Sequence, residues 1–156
     1  MIRVLTLVSA LGCGLMAGFF FAFSVSVMKA LGRLPPAQGI AAMQSINVVV
    51  INPVFFIAFF GTAAASVGVV ISAIKNWDEP GATYLLVGGL LYLIGSFLVT
   101  IAFNVPRNNA LAAVDPASAG GDALWASYLT VWTAWNHVRT AAALVAAAAL
   151  SIALRY

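Results

Sequence analysis

Charged residues are scarce in this sequence, making up 7% of 156 residues against 63% hydrophobic residues, with a mean hydropathy of +1.06. A soluble domain carries about 25% charged residues, and a chain of this length usually forms one domain. A water-soluble fold of this size could not cover so much apolar surface. We therefore predict a single integral membrane domain over residues 1–156. The net charge of +3 is too small and too scattered for nucleic-acid binding.

Cysteine and histidine are equally scarce, with Cys13 and His137 the only examples of each. One cysteine excludes an intrachain disulfide, and the two residues together cannot supply the three or four ligands of a typical zinc or iron centre. No glycine-rich dinucleotide-binding motif follows a strand pattern. The composition therefore predicts no bound metal and no cofactor. Cys13 lies in an apolar run and is interpreted as a small buried hydrophobic residue.

Long apolar runs are abundant and predict four transmembrane helices near residues 4–29, 50–75, 82–104 and 123–155. The first three runs satisfy the roughly 20 residues needed to cross a bilayer. The fully apolar part of the fourth run, residues 141–154, is too short, so this helix must also include residues 125–140 with Asn136, His137 and Arg139. The first run is too long for a signal peptide and is interpreted as a retained helix. The predicted fold is all-α, an up-down four-helix bundle that is multi-pass in a bacterial-type inner (plasma) membrane. Lys and Arg are divided almost evenly between the two sides, which leaves the orientation open.

The first connection contains a further helical pattern. Ile40, Met43 and Ile46 recur at three-residue spacing after two prolines, which predicts a short interfacial helix in this loop. In the first long helix, Gly14 and Gly18 form a GxxxG pair that permits close approach of another helix. A homo-oligomer is one arrangement that the sequence allows.

Polar residues collect at one end of the predicted bundle, where the first and third connections meet. Gln44, Arg107 and Arg139 lie at this end together with His137. Six of the seven asparagines lie there too, at Asn47, Asn52, Asn104, Asn108, Asn109 and Asn136. The two ends are therefore chemically unlike, and we expect functional groups at this end only.

The fourth helix concentrates large polar and aromatic residues on one face. At about 100° per residue, five side chains fall on a stripe roughly 80° wide. They are Trp125, Tyr128, Trp132, Asn136 and Arg139. An aromatic belt at the membrane interface is one interpretation. Asn136 and Arg139 lie deeper along the helix, which favours an inward-facing site. His137 falls about 120° from the reference residue Trp125 and points away from the stripe.

Four sequence patterns occur in an order that resembles a known family. They are residues 18–28 (GFFFAFSVSVM), 43–47 (MQSIN) followed by Asn52 and Pro53, 104–111 (NVPRNNAL), and Trp125 and Trp132 followed by 136–139 (NHVR). Together they resemble a domain-of-unknown-function family of small four-helix membrane proteins, whose characterised fungal relatives are anthrone oxygenases. The resemblance runs from residue 14 to residue 140.

The resemblance implies oxidation of a lipophilic anthrone or phenol by O₂, without a metal or flavin. It implies that Asn104, Asn108, Asn136 and Arg139 supply hydrogen-bond donors to the reacting anion. Substrate contacts are expected from Trp125, Tyr128, Trp132, Phe20, Ser24 and Asn47. The general base stays open: His137 exchanges a proton near neutral pH but points away, and Asp115 or Asp122 could fold over the site from the third connection.

A non-enzymatic role is the alternative interpretation. The chain could bind quinone-like or lipid molecules, or form a structural subunit of a larger membrane complex. A closed cavity along the polar stripe would favour an enzyme or a binding protein. A stripe that packs against another chain would favour the subunit.

Overall fold

The computed structural model describes residues 2–156, which are helical apart from short connections. Within this range, four helices are long and apolar enough to cross a membrane. They are α1 (Ile2–Leu31), α3 (Pro53–Lys75), α4 (Ala82–Ala112) and α5 (Ala119–Ala153). A shorter helix, α2 (Pro36–Val49), connects α1 to α3. The predicted all-α membrane bundle with a short helix in the first connection is confirmed.

The four long helices form a closed ring of neighbours, in which α1 and α4 each pack against α3 and α5. Alanine and glycine bring α4 and α5 close together. A Cβ added at Gly88 would lie 2.7 Å from the Leu150 side chain, and one at Gly95 would lie 2.5 Å from the Cβ of Ala142. The alanine-rich part of α5 therefore packs its buried face directly against α4.

Helix α4 extends beyond the predicted end at residue 104. It continues to Ala112 with Pro106 in the first turn after a π-helical turn at Thr100–Asn104. The missing N–H of proline costs least where the regular helical hydrogen bonds are already interrupted. Asn108 and Asn109 consequently lie on a helix, whereas the sequence analysis placed them in the third connection.

The short helix α2 packs its apolar face inward. Ile40 and Met43 are fully buried in a core that also contains Leu111, Trp125 and Tyr128. The Gln44 side chain donates hydrogen bonds of 2.9 Å to the carbonyls of Leu111 and Val114. These contacts hold α2 across the polar end of the bundle, against the end of α4 and the start of α5.

The GxxxG pair in α1 has no role inside the bundle. A Cβ added at Gly14 or Gly18 would meet no heavy atom within 4 Å, and both residues are exposed. The close approach occurs instead at Gly12, where an added Cβ would clash with the Thr62 side chain of α3. The close helix approach that Gly14 and Gly18 permit is therefore not made among the described helices.

Candidate active site

The five polar and aromatic residues of the α5 stripe share one inward face. Each is at most 5% exposed. They are Trp125, Tyr128, Trp132, Asn136 and Arg139. Because α5 is a regular α-helix throughout, their spacing of three and four residues keeps them on one side. The burial confirms the inward orientation that the helical periodicity predicted.

Asn136 connects α5 to α1 through its side-chain amide. Its Nδ2 donates hydrogen bonds of 2.6 Å to the carbonyl of Phe20 and to the Ser24 hydroxyl. Ser24 belongs to a π-helical turn at Phe23–Val27, which interrupts the regular register of α1 near the polar end. Asn136 is therefore fully hydrogen-bonded on its donor side, and its Oδ1 remains free to accept from another residue.

Arg139 is held by neutral groups only. Its Nη2 donates to Asn136 Oδ1 at 2.5 Å, and its Nη1 donates to Thr100 Oγ1 at 3.2 Å. The guanidinium carbon lies 4.2 Å from the centre of the Phe20 ring and 5.1 Å from that of Trp132, which allows cation–π contact. Among the described residues, its Nε has no hydrogen-bond partner.

Within the described residues, no carboxylate neutralises this guanidinium. All four acidic residues, Asp78, Glu79, Asp115 and Asp122, are exposed, and none is among the hydrogen-bond partners found for Arg139 in residues 2–156. A buried charge without a partner is costly, so such a group is usually paired or bound to a ligand. The arrangement is therefore suited to an anion that arrives with the ligand.

The second polar group is centred on Asn108 of α4. Asn108 Oδ1 accepts two hydrogen bonds of 2.7 Å, from the Tyr128 hydroxyl and from Trp132 Nε1. The rings of Trp125, Tyr128 and Trp132 form a continuous stack with centroid spacings of 5.7 Å. Asn108 thus fixes Tyr128 and Trp132, and the Trp132 ring lies in cation–π contact with the buried arginine.

Asn104 lies one turn before Asn108 and is 1% exposed. Its Nδ2 donates to the carbonyl of Trp132 at 3.2 Å, while its Oδ1 has no partner within the described part of the chain. Asn104, Asn108 and Arg139 all contact Trp132, and Asn136 contacts Arg139. The structure therefore brings the four predicted donor residues together around one tryptophan.

A partly open cavity of about 360 Å³ lies beside this group and is lined by residues of all five helices. This volume is within the roughly 300–1,000 Å³ typical of small-molecule sites. Its apolar wall includes seven phenylalanines among the described residues, namely Phe19, Phe20, Phe23, Phe55, Phe56, Phe59 and Phe60. Its polar groups are Gln44, Asn47, Thr100, Asn108, Asn109 and Arg139. The buried Nδ2 of Asn47 has no hydrogen-bond partner in the described chain.

The predicted site residues fall into three groups around this cavity. Those that line it are Phe20, Asn47, Asn108, Trp132 and Arg139. Those that lie behind its wall and hold the lining residues are Ser24, Asn104, Trp125, Tyr128 and Asn136. His137 belongs to neither group, because its side chain is exposed on the outer face of α5.

The candidate carboxylate bases also lie away from the cavity. Asp115 and Asp122 are exposed, and Asp115 Oδ1 accepts a hydrogen bond of 2.9 Å from the backbone N–H of Ala117. Neither residue folds over the site. Within residues 2–156, no three histidine, cysteine, aspartate or glutamate side chains lie close enough together to bind one metal ion.

Sequence reasoning missed Thr100, which bonds the guanidinium and lines the cavity. Thr100 and Asn104 lie in one π-helical turn, so a constant α-helical period does not relate their side-chain directions, and no short-range pattern identified Thr100. Gln44 was noted at the polar end, but its position in the cavity wall depends on how α2 packs.

The fold and this site define a class of small membrane-type four-helix bundles that enclose a phenylalanine-walled cavity next to a buried arginine. The sequence model of one family, described as anthrone oxygenase, matches residues 53–149, which is more than half of the chain. The chain belongs to the anthrone oxygenase family. The match includes α3, α4 and most of α5, whereas α1 and α2 lie outside it. No curated protein and no solved structure matches the chain.

Proposed function

We propose that this chain is an oxidoreductase of a bacterial-type plasma membrane that uses O₂ to oxidise a lipophilic anthrone or phenol. The observation that carries the proposal is Arg139, a 5%-exposed guanidinium that faces a phenylalanine-walled cavity without a carboxylate partner. Membership in the anthrone oxygenase family supports this type of reaction. The flat aromatic substrate fits the apolar wall, and its anion fits the unpaired cation.

The chemistry requires little from the protein. An anthrone loses a methylene proton readily because its anion is a delocalised phenolate. This anion gives one electron to O₂, and the carbon radical and superoxide then combine to form a peroxide at the former methylene carbon. Loss of water leaves the ketone, so that one anthrone and one O₂ give one anthraquinone and one water. The task of the site is to bind and stabilise the anion.

Arg139 promotes formation of the anion in the proposed reaction. Among the described residues that line the cavity, none is Asp, Glu, His or Lys. A positive charge beside the phenolic oxygen lowers the free energy of the anion relative to the neutral substrate. The substrate proton is then released to water at the polar end, and the buried guanidinium stabilises the anion that remains.

The decisive experiment compares Arg139→Gln with Arg33→Gln in the purified protein. Arg33 lies at the same end of the bundle but is exposed, so its replacement controls for loss of one positive charge. Turnover of 1,8-dihydroxyanthrone is followed by O₂ consumption and by formation of the anthraquinone. We expect a loss of roughly 100-fold or more for Arg139→Gln, as for removal of one oxyanion donor. Arg33→Gln and His137→Ala should retain activity.

Two results would contradict this account. One is wild-type turnover in Arg139→Gln, and the other is activity that a chelator abolishes. A wild-type protein that binds the anthrone through Arg139 but never oxidises it would be a binding protein, which is the alternative function.

A further inference from the structure

A second compartment adjoins the cavity and is almost entirely hydrophobic. It is a groove of about 500 Å³ between α1, α2 and α3, with Ser45 and Asn52 as its polar lining residues. The groove and the cavity share five wall residues, Phe19, Phe23, Ile46, Val50 and Phe55. The two spaces are therefore separated by no more than one layer of side chains.

The rim of this groove is exposed and apolar. Leu15, Val49 and Val54, which line it, are 62%, 69% and 78% exposed. Ile51 and Ile57 continue the apolar surface along the start of α3, with 66% and 75% of their surface exposed. In a chain that spans a membrane, such a surface faces lipid hydrocarbon. The groove is thus open to the bilayer on its outer side and separated from the cavity only by the shared wall residues.

The cavity and the groove are lined by side chains of different chemistry. The inner cavity holds the guanidinium of Arg139 and the amides of Asn47 and Asn108, whereas the outer groove holds no charged side chain. A ligand that fills both spaces must therefore have an anionic or hydrogen-bonding head and a hydrocarbon tail.

We propose that the ligand is an amphiphilic phenol that resides in the membrane, with its aromatic head beside Arg139 and its hydrocarbon tail in the groove between α1 and α3. The identity of the head as an oxidisable phenol rests on the proposed function, whereas the two-part binding does not require turnover. The tail emerges into the bilayer.

The groove removes a cost that a closed cavity would impose. If the cavity opened only to water, a tailed ligand would have to leave the hydrocarbon before its head could bind, at a free-energy cost that grows with each methylene. A lateral groove allows the tail to stay among apolar groups throughout. Because lipid is as apolar as the groove, contacts between the groove and the tail add little binding free energy. The groove instead provides the space without which a tailed ligand could not bind.

The test measures binding without turnover, in anaerobic phosphatidylcholine nanodiscs, through quenching of tryptophan fluorescence. The probes are 1,8-dihydroxyanthrone and the same anthrone with a decyl chain on ring carbon 3, with affinities expressed per mole fraction in lipid. Ala58→Phe fills the groove without touching the cavity, because Ala58 lines only the groove. Ala64→Phe is the matched control on an exposed face of the same helix.

We expect Ala58→Phe to weaken binding of the decyl anthrone at least tenfold and to leave the unsubstituted anthrone unchanged. Ala64→Phe should change neither affinity. Leu15→Trp on α1 provides a second obstruction of the groove, with Leu11→Trp as its exposed control, in case Ala58→Phe does not fold.

Four outcomes would overturn the proposal. In the first two, both groove variants leave the affinity for the decyl anthrone unchanged, or they weaken binding of both ligands equally. In the third, the groove holds only a phospholipid acyl chain that the decyl anthrone does not displace. In the fourth, binding shows no dependence on Arg139. Failure of the proposed function looks different, because both ligands would then bind as expected but remain unoxidised when O₂ is admitted.

Discussion

Asn136 and Arg139 form a unit in which a neutral amide positions a buried cation. Arg139 Nη2 donates to Asn136 Oδ1 at 2.5 Å, and the Asn136 amide donates to the Phe20 carbonyl and the Ser24 hydroxyl at 2.6 Å. The guanidinium is thereby fixed against α1 without being neutralised. This distinguishes it from a structural ion pair, in which a carboxylate would occupy the same place.

A carboxylate placed opposite the guanidinium should abolish anion binding. Thr100 Oγ1 lies 3.2 Å from Arg139 Nη1, so Thr100→Asp would create an internal ion pair. We expect anionic ligands to bind roughly 30-fold or more weakly, corresponding to about 2 kcal/mol for a lost buried charge pair. The melting temperature should be unchanged or higher. Titration with an anthrone in each variant provides the measurement.

Thr100→Asn is the matched control, because asparagine has the size of aspartate without its charge. It should bind the ligand nearly as well as the wild-type protein. Equal binding by the Asp and Asn variants would mean that the charge of Arg139 does not contribute to recognition.

The pH dependence of turnover should follow the acidity of the substrate. Since no carboxylate, histidine or lysine lines the cavity within the described residues, the anionic form of the substrate sets the rate. We expect kcat to rise with pH and to level off above the pKa of the substrate in the site, because kcat reports ionisation in the enzyme–substrate complex. For two anthrones that differ in pKa, the pH at which the rate rises should differ by the same amount as their pKa values. If the rate rises at the same pH for both substrates, a basic group of the protein controls the reaction.

Loss of the Asn108 amide should destabilise the protein. Asn108 Oδ1 accepts hydrogen bonds from Tyr128 and Trp132, so Asn108→Leu leaves two donors without a partner. Each such donor costs about 1–3 kcal/mol when buried. The free energy of unfolding, measured by titration with sodium dodecyl sulfate, should fall accordingly. Asn109→Leu is the control on the same helix, since Asn109 is exposed, and a similar loss there would refute the assignment.

The contact between α2 and Trp125 should tolerate no side chain at position 39. A Cβ at Gly39 would lie 2.8–2.9 Å from atoms of the Trp125 ring. Gly39→Ala should lower the free energy of unfolding, because overpacking costs about 1–3 kcal/mol and outweighs the gain of up to about 1 kcal/mol in helix propensity. Gly61→Ala in α3 meets no heavy atom within 4 Å and should be neutral or stabilising. An equal free energy of unfolding for Gly39→Ala and Gly61→Ala would show that α2 shifts to make room for the added Cβ.

The features that sequence alone determined are those that repeat at short range. Apolar runs predicted the four long helices, the fourth from a shorter run continued through a more polar segment. Spacing along α5 predicted its inward stripe from Trp125 to Arg139. The same spacing placed His137 on the opposite side, where its side chain is exposed. These predictions succeed because α5 keeps regular helical geometry, so that each side chain direction follows from its position in the chain.

Only the tertiary structure decided which groups meet the buried guanidinium. Within residues 2–156, Ser24, Thr100 and Asn104 all lie in π-helical turns, which change the direction of side chains in a way that a constant helical period does not describe. The contact of Asn136 with Phe20 joins residues 116 positions apart. The cavity and its lateral groove likewise depend on how α2 packs across the ends of the other helices. Helix formation is set by local sequence, whereas such contacts depend on the rotation and packing of whole helices, and no short-range pattern records that geometry.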